Sequence, residues 1–325
     1  MMTRFHQMWA YVVFCGLVFV PGGAAGEEVD SAGRWTFGLE DFRPQKALKS
    51  SGVLDIVVVV DNSSSMTAEI DSLQDELYDH LVGPQIAAGV DVRVVVVSRH
   101  GELVAESVCF EAPLSSIPVG GCDPPPTLPG ITNLFKQYSV EIGSHTAWCQ
   151  FMDTFDGSVP DEFGLAPGGW VDWLREDAFK LILMVTDDGV SCGSYLDNNS
   201  AAGGIAAATA IDTDLLALSP LQFGSAASRT YIVHSLVGLS EYAVPGEPWP
   251  PTIPITELKC SNSIDPGTGH QGMSILAEGL RFPTCSSTQF DTFLEAVSQA
   301  TFDLFPIFED GFETGDFGAW SSVTQ

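Results

Sequence analysis

Asp61 and Asp187 are the residues of this chain best placed to do chemistry. Asp61 is followed at i+2 and i+4 by Ser63 and Ser65, and Asp187 by Asp188 and Gly189. Two carboxylates with two or three hydroxyls form an oxygen-only donor set, which suits hard cations such as Mg2+ and Ca2+. Such a set neither fully neutralises nor encloses the ion. Mg2+ keeps waters and near-octahedral geometry, so one coordination position stays open to an acidic side chain from outside. That is docking chemistry, not catalysis. Asp61 could instead cap the next helix, with the serines as turn residues. That accounts for one acid and three serines but not for the second acid.

Both acids need an element to hold them, and each ends an apolar run. Asp55-Ile56-Val57-Val58-Val59-Val60 leads into Asp61, and Leu181-Ile182-Leu183-Met184-Val185-Thr186 leads into Asp187. Short, continuous runs rich in β-branched residues read as strands buried on both faces of a parallel sheet. An acid at the C-terminal end of such a strand lies where open α/β sheets bind ligands. The predicted class is α/β: a doubly wound, mostly parallel sheet with helices on both faces.

The remaining elements follow from periodicity and turn residues. Residues 67–82 form an amphipathic helix, with Ile70, Leu73, Leu77 and Leu81 on one face. A second strand covers 90–97 and a third 103–110, joined by a hairpin turn at Arg99-His100-Gly101. Residues 111–133 are a Pro/Gly-rich loop, and a helix runs from the Gly143-Ser144-His145-Thr146 stretch through Phe155. A short helix at 170–179 feeds the 181–186 strand, and an Ala-rich helix spans 203–218. Then come a strand at 230–237, a helix at 274–280, a short strand at 281–285 and a last helix at 290–305. In that last helix Phe293, Leu294, Val297 and Phe302 face inward.

Strand, Asp-x-Ser-x-Ser, helix, strands, and a strand ending in Val185-Thr186-Asp187 together resemble a von Willebrand factor A-type domain over about residues 52–305. Asp61-x-Ser63-x-Ser65 matches that family's metal-ion-dependent adhesion site, and Val185-Thr186-Asp187 its second acidic loop. The resemblance implies a six-stranded sheet with the two loops side by side at its top edge. It implies that Ser63 and Ser65 ligate an ion directly, and that Asp61 and Asp187 do so directly or through water. The family's middle-loop threonine falls on Ser144, with Thr146 as the fallback. Asp188 stands where a glycine would follow the acid, which reads as an outer partner or brings Ca2+ into contention. The implied ion is Mg2+, with Ca2+ and Mn2+ as alternatives, and the implied partner is a protein presenting an acidic side chain.

Composition narrows the setting. A formal net charge of −29 argues against nucleic acid, whose phosphates would be repelled. Residues 1–25 read as a signal peptide, with Arg4 before the apolar stretch Trp9–Val20 and small residues at 21–26. Residues 26–51 are a linker carrying four of the 13 basic residues, and no later segment reads as a membrane span. Six of the seven cysteines follow the leader and show no CxxC spacing, so disulfides are expected rather than zinc. The preferred pairs are Cys109–Cys122, Cys149–Cys192 and Cys260–Cys285, the second tying the loop after Asp187 to a helix near the site. Residues 306–325 are an acidic, aromatic tail, similar to C-terminal tails of exported bacterial proteins or to a frayed terminus.

No Gly-x-Ser-x-Gly, Gly-x-x-x-x-Gly-Lys, His-Glu-x-x-His or Gly-x-Gly-x-x-Gly motif occurs. His145 is expected near the site and His234 in a strand, and Trp170 and Trp173 are expected in the core. The expected function is that of a non-enzymatic, secreted, periplasmic or cell-surface protein that binds a protein partner through a divalent cation. The alternatives are a metal-dependent hydrolase on the same sheet and a structural envelope component with a degenerate site.

Overall fold

The computed structural model describes residues 52–101, 107–244 and 246–304. The expected leader, the linker and the acidic tail lie outside the described residues. In chain order, β1 (Val53–Val60) leads through a 3-10 turn (Ser64–Met66) into α1 (Thr67–Leu77), a π-helical turn (Tyr78–Val82) and α2 (Gly83–Ala87). Then come β2 (Asp91–Val97), β3 (Phe135–Tyr138), α3 (Ala147–Phe155), a 3-10 turn (Trp170–Trp173) and β4 (Phe179–Val185). A small ribbon of β5 (Ser191–Cys192) and β6 (Tyr195–Leu196) precedes α4 (Ala201–Leu218) and α5 (Pro220–Phe223). A second ribbon, β7 (Gly224–Ser225) and β8 (Ser228–Arg229), precedes β9 (Tyr231–Val237). α6 (Thr268–Leu276), β10 (Arg281–Pro283), an irregular 3-10 segment (Thr284–Gln289) and α7 (Phe290–Phe302) complete the series.

The six main strands are all parallel, in the order β10-β9-β4-β1-β2-β3. The fold is α/β and doubly wound. The chain builds outward from β1 through β2 to β3, then returns to β1's other side with β4 and builds outward again. The switch point therefore lies between β1 and β4, and their carboxyl ends border the crevice where such sheets bind ligands.

The valine runs fit because the sheet is covered on both sides. Ile56, Val58 and Val60 of β1 join Ile70, Leu73 and Leu77 of α1 and Phe293, Leu294 and Val297 of α7 in one core. Val57 and Val59 point the other way, into a core with Trp148 and Phe151 of α3, Ile211 and Leu215 of α4 and Met273 of α6. Burying each such aliphatic side chain is worth roughly 1.5–3 kcal/mol. Phe302 is only half-buried, at the end of α7. Trp170 is fully buried in the second core and Trp173 packs against it.

Several expectations need correction. The strand expected at 103–110, with its hairpin, is not what pairs with β2. Residues 102–106 are outside the description, and Ser107 to Phe110 have no strand pairing. Instead β3 pairs parallel with β2, Val94 opposite Phe135 through Val97 opposite Tyr138. Val108 and Phe110 are apolar because they are buried in the first core, not because they form a ladder. The helix expected at 170–179 is only the 3-10 turn Trp170–Trp173, and the one expected at 274–280 lies earlier, at Thr268–Leu276. Finally, α4 is long and apolar enough to cross a membrane by length and composition. Here it packs against α6, where a Cβ on Gly204 would lie 2.4 Å from the Thr268 carbonyl oxygen and one on Gly272 2.6 Å from the Gly204 carbonyl oxygen.

All three expected disulfides are present: Cys109–Cys122, Cys149–Cys192 and Cys260–Cys285. They suit an oxidising, extracellular environment.

Candidate metal centre

The ends of β1 and β4 are held level by bonds that continue the sheet. The Asp61 amide donates to the Val185 carbonyl (2.9 Å) and the Thr186 amide to the Leu236 carbonyl (3.0 Å). Asp61 is thereby fixed beside the 186–188 loop. Its Oδ1 accepts from the Ser63 amide (2.8 Å) and its Oδ2 from the Thr186 hydroxyl (2.8 Å). The Ser65 hydroxyl donates to Asp187 Oδ1 (3.0 Å), and the Ser63 and Ser65 hydroxyl oxygens lie 3.2 Å apart. The fold therefore brings Asp61, Ser63, Ser65 and Asp187 together across the β1–β4 junction. Both acids are buried, whereas Ser63 is half-buried and Ser65 exposed.

The middle loop is fastened by Asn62, which the sequence did not single out. Its amide donates to the Ile142 carbonyl (2.9 Å), and its Oδ1 accepts from the Ile142 amide (2.7 Å). Ser144 follows, exposed and close enough to Asp188 to favour that residue's charged form, though without good hydrogen-bond geometry. The Thr146 hydroxyl is directed elsewhere, donating to the Gly143 carbonyl at 2.8 Å just before α3.

Asp188 is the most informative residue of the group. It is fully buried, and neither carboxylate oxygen has a hydrogen-bond partner. Asp61, Asp187 and Asp188 offer oxygens that all lie within 4.8 Å of one another. Burial, with added repulsion from Asp61 and Asp187, pushes the Asp188 carboxyl up to about 6 against the opposing effects of Ser144 and His145. Burial also raises Asp187; the Ser65 bond opposes this and the Asp61 charge adds to it. Glu69, on α1, is a further buried acid with an unpartnered oxygen; burial raises it too, and the Asp187 charge contributes.

Buried carboxylates this close without a counter-charge are costly, and an unpaired buried charge normally neutralises or finds a partner. Among the described residues no lysine or arginine forms an ion pair with Asp61, Asp187 or Asp188. A divalent cation fits what this donor set offers: all-oxygen ligands, excess negative charge and unused lone pairs.

A histidine adjoins the acids. His145, half-exposed, bonds through Nε2 to Asp265 Oδ2 (2.8 Å), and its Nδ1 lies 3.6 Å from Asp188 Oδ1. Burial disfavours the charged ring, but the Asp265 bond and the charges of Asp188, Asp265 and Asp197 outweigh it and raise its pKa. Asp265 carried no signal in the sequence, since it sits in a loop without periodicity. The fold delivers it by hydrogen bonds from the Ile264 and Asp265 amides to the Asp187 carbonyl (3.2 and 3.0 Å). Gly238 makes that approach feasible, because a Cβ there would lie 2.1 Å from the Asp265 carbonyl oxygen. The Cys149–Cys192 disulfide joins α3 to β5, and the Ser191 amide donates to the His145 carbonyl (3.2 Å), as expected of a tie between the second loop and a nearby helix. His234 is buried in β9, where its Nδ1 accepts from the Leu280 amide (3.0 Å).

Comparison of the chain with models of known protein families, with curated proteins and with solved structures finds no match. The functional reading therefore rests on the geometry of these residues.

Proposed function

We propose that this is an exported protein that binds a divalent cation at Asp61, Ser63, Ser65 and Asp187, with Ser144 and Asp188 alongside, and docks a protein partner through it. When bound, the ion supplies positive charge to the buried acids and an open coordination position. The residues do the rest. Asp61 and Asp187 hold fixed positions at the strand ends, and Ser63 and Ser65 bring hydroxyl oxygens to the accessible rim. The partner's contribution is an acidic side chain. The hard, oxygen-only set favours Mg2+, with Ca2+ and Mn2+ as alternatives. The von Willebrand factor A-type resemblance supports this reading through the same motif residues, and the three disulfides support export.

The observation that carries the proposal is Asp188, buried with both oxygens unpartnered beside Asp61 and Asp187. A carboxylate in that state, with only the more distant His145 and Ser144 to favour its charge, has a use for a cation. Calorimetry with Mg2+ tests it. Wild-type protein should bind one ion, and Asp61→Ala should abolish binding while circular dichroism shows the fold retained. Equal binding by the variant would sink the assignment. A metal-dependent pull-down from an envelope fraction, reversed by chelator, tests the docking role.

A further inference from the structure

We propose that His145 supplies an imidazole nitrogen to a second divalent-cation position that adjoins the first and shares Asp188 with it. This position takes a transition-metal ion such as Zn2+ or Co2+ rather than Mg2+. The inference rests on the proposed first site only for the neighbouring ion; the His145 position has its own geometry.

The tautomer of His145 follows from its partner. A carboxylate is an acceptor only, so the 2.8 Å contact with Asp265 Oδ2 requires the proton on Nε2. In the neutral ring Nδ1 then carries a lone pair, and it faces Asp188 Oδ1 at 3.6 Å. That is too long for a hydrogen bond. It is close to the distance of about 3.4 Å between two ligands of one tetrahedral ion with bonds near 2.1 Å. Metal-ligating histidines commonly donate their other N–H to a carboxylate, which fixes tautomer and ring orientation. Asp265 fills that role and is itself held: its Oδ1 accepts from Asn199 Nδ2 (2.6 Å) and its amide donates to the Asp187 carbonyl (3.0 Å).

The second, independent observation is again Asp188. It is fully buried, and both of its oxygens lack donors. It belongs to two groups of potential ligands, one with Asp61 and Asp187, the other with His145 and Asp265. A single carboxylate with two free oxygens between two such groups has the form of a bridging ligand. Nitrogen in the second group alone separates the two positions by ion type. Imidazole suits Zn2+, Cu2+, Fe2+ and Ni2+, whereas Mg2+ prefers oxygen and water.

The experiment uses the full disulfide-bonded chain after chelation and dialysis. Native mass spectrometry and calorimetry should show one Mg2+ but two Co2+ per chain. Pulsed EPR of the Cu2+-loaded protein should show coupling to an imidazole nitrogen. His145→Gln should lose one Co2+ and the nitrogen coupling while keeping Mg2+. Asp265→Asn, which leaves the ring in place, should weaken the second Co2+ by about 10–100-fold. His80, whose two ring nitrogens already contact Glu76 and Glu295, is the control; His80→Gln should change nothing. Should His145→Gln fold poorly, the wild-type nitrogen coupling and the Asp265→Asn result decide. One Co2+ per chain with no nitrogen coupling would overturn the proposal and leave His145 as a protonated bridge between two acids. Loss of all Mg2+ binding in wild type, with Co2+ still held at His145, would overturn the first site alone.

Discussion

Strand β1 carries a buried aspartate at each end, and the two are treated in opposite ways. Asp55, near its start, is fully buried and surrounded by positive charge. Arg175 donates to it from the backbone amide (2.7 Å) and from Nε (2.8 Å), and Lys180 Nζ lies 3.7 Å away. Asp61, six residues later at the other end, is equally buried but shares its surroundings with Asp187 and Asp188. At the lower end the protein supplies the counter-charge and the acid is structural. At the upper end the acids accumulate with His145 as their nearest basic group, and in the proposed reading a cation supplies the remaining counter-charge. Burial of a carboxylate therefore says little about its role; what stands within a few ångströms of it says much more.

The largest expected effect lies at the lower end. Asp55→Ala removes the buried carboxylate that Arg175 and the fully buried Lys180 share, leaving Arg175 only the exposed Asp91, and should cost about 3–5 kcal/mol in urea unfolding. Asp61→Ala in metal-free protein should cost no more than about 2 kcal/mol, since it loses two hydrogen bonds and relieves like-charge crowding. Equal losses would erase the distinction between the two ends.

The next effect concerns the tie that steadies the upper end. Replacing Cys149 and Cys192 together by serine should cost about 2–4 kcal/mol and also weaken metal binding. The same change at Cys109 and Cys122 should lower stability without altering metal affinity. Peptide mapping without reduction should recover all three pairs; free thiols at most of these positions would contradict the pairing.

Asp188→Asn sharpens the contrast by reversing the sign. It removes a buried charge that its burial and acidic neighbours disfavour more than Ser144 and His145 favour it, so metal-free protein should gain on the order of 1 kcal/mol, while Mg2+ affinity should fall. Destabilisation in the absence of metal would mean that the His145 contact outweighs the cost of burying Asp188.

The smallest effect is a pH dependence. The Asp188 carboxyl is raised from 3.8 to about 6 by burial first, then by its acidic neighbours. Between those values the folded state holds the proton and the unfolded state does not. Metal-free stability from this group should therefore fall as pH rises from about 4 to about 6, and stay low above. Added Mg2+ should raise the melting temperature at pH above this window, and the gain should shrink as the pH is lowered through about 6. A Mg2+ effect that is constant across this range would remove Asp188 from the centre.

Local pattern made the strong elements legible. The runs that became β1 and β4 and the stripe Ile70, Leu73, Leu77 and Leu81 needed no tertiary information, because burial on both faces, or on one helical face, leaves a direct imprint on residue type. β3 left almost none. Its four residues include Lys136 and Gln137, and the buried Gln137 is satisfied there by donating to the Val108 carbonyl (3.0 Å). The start of α6, Thr268-Gly269-His270-Gln271-Gly272, reads as a poor helix. Its glycines are there for close approach: a Cβ on Gly269 would lie 2.7 Å from Val190 Cγ2.

The sequence by itself determined the α/β class, the two acids at strand ends with their serines, and the expectation of three disulfides. Each is encoded by residue type at short spacing or by cysteine number. Only the tertiary structure decided that Asn62 fastens the middle loop, that Asp265 holds His145, and that Asp188 is buried without a donor. Those facts join loops far apart in the chain, and loop contacts have no period to read. They are fixed by the strand order that sets β1 beside β4, and by the glycines that let the 263–267 loop close over their ends.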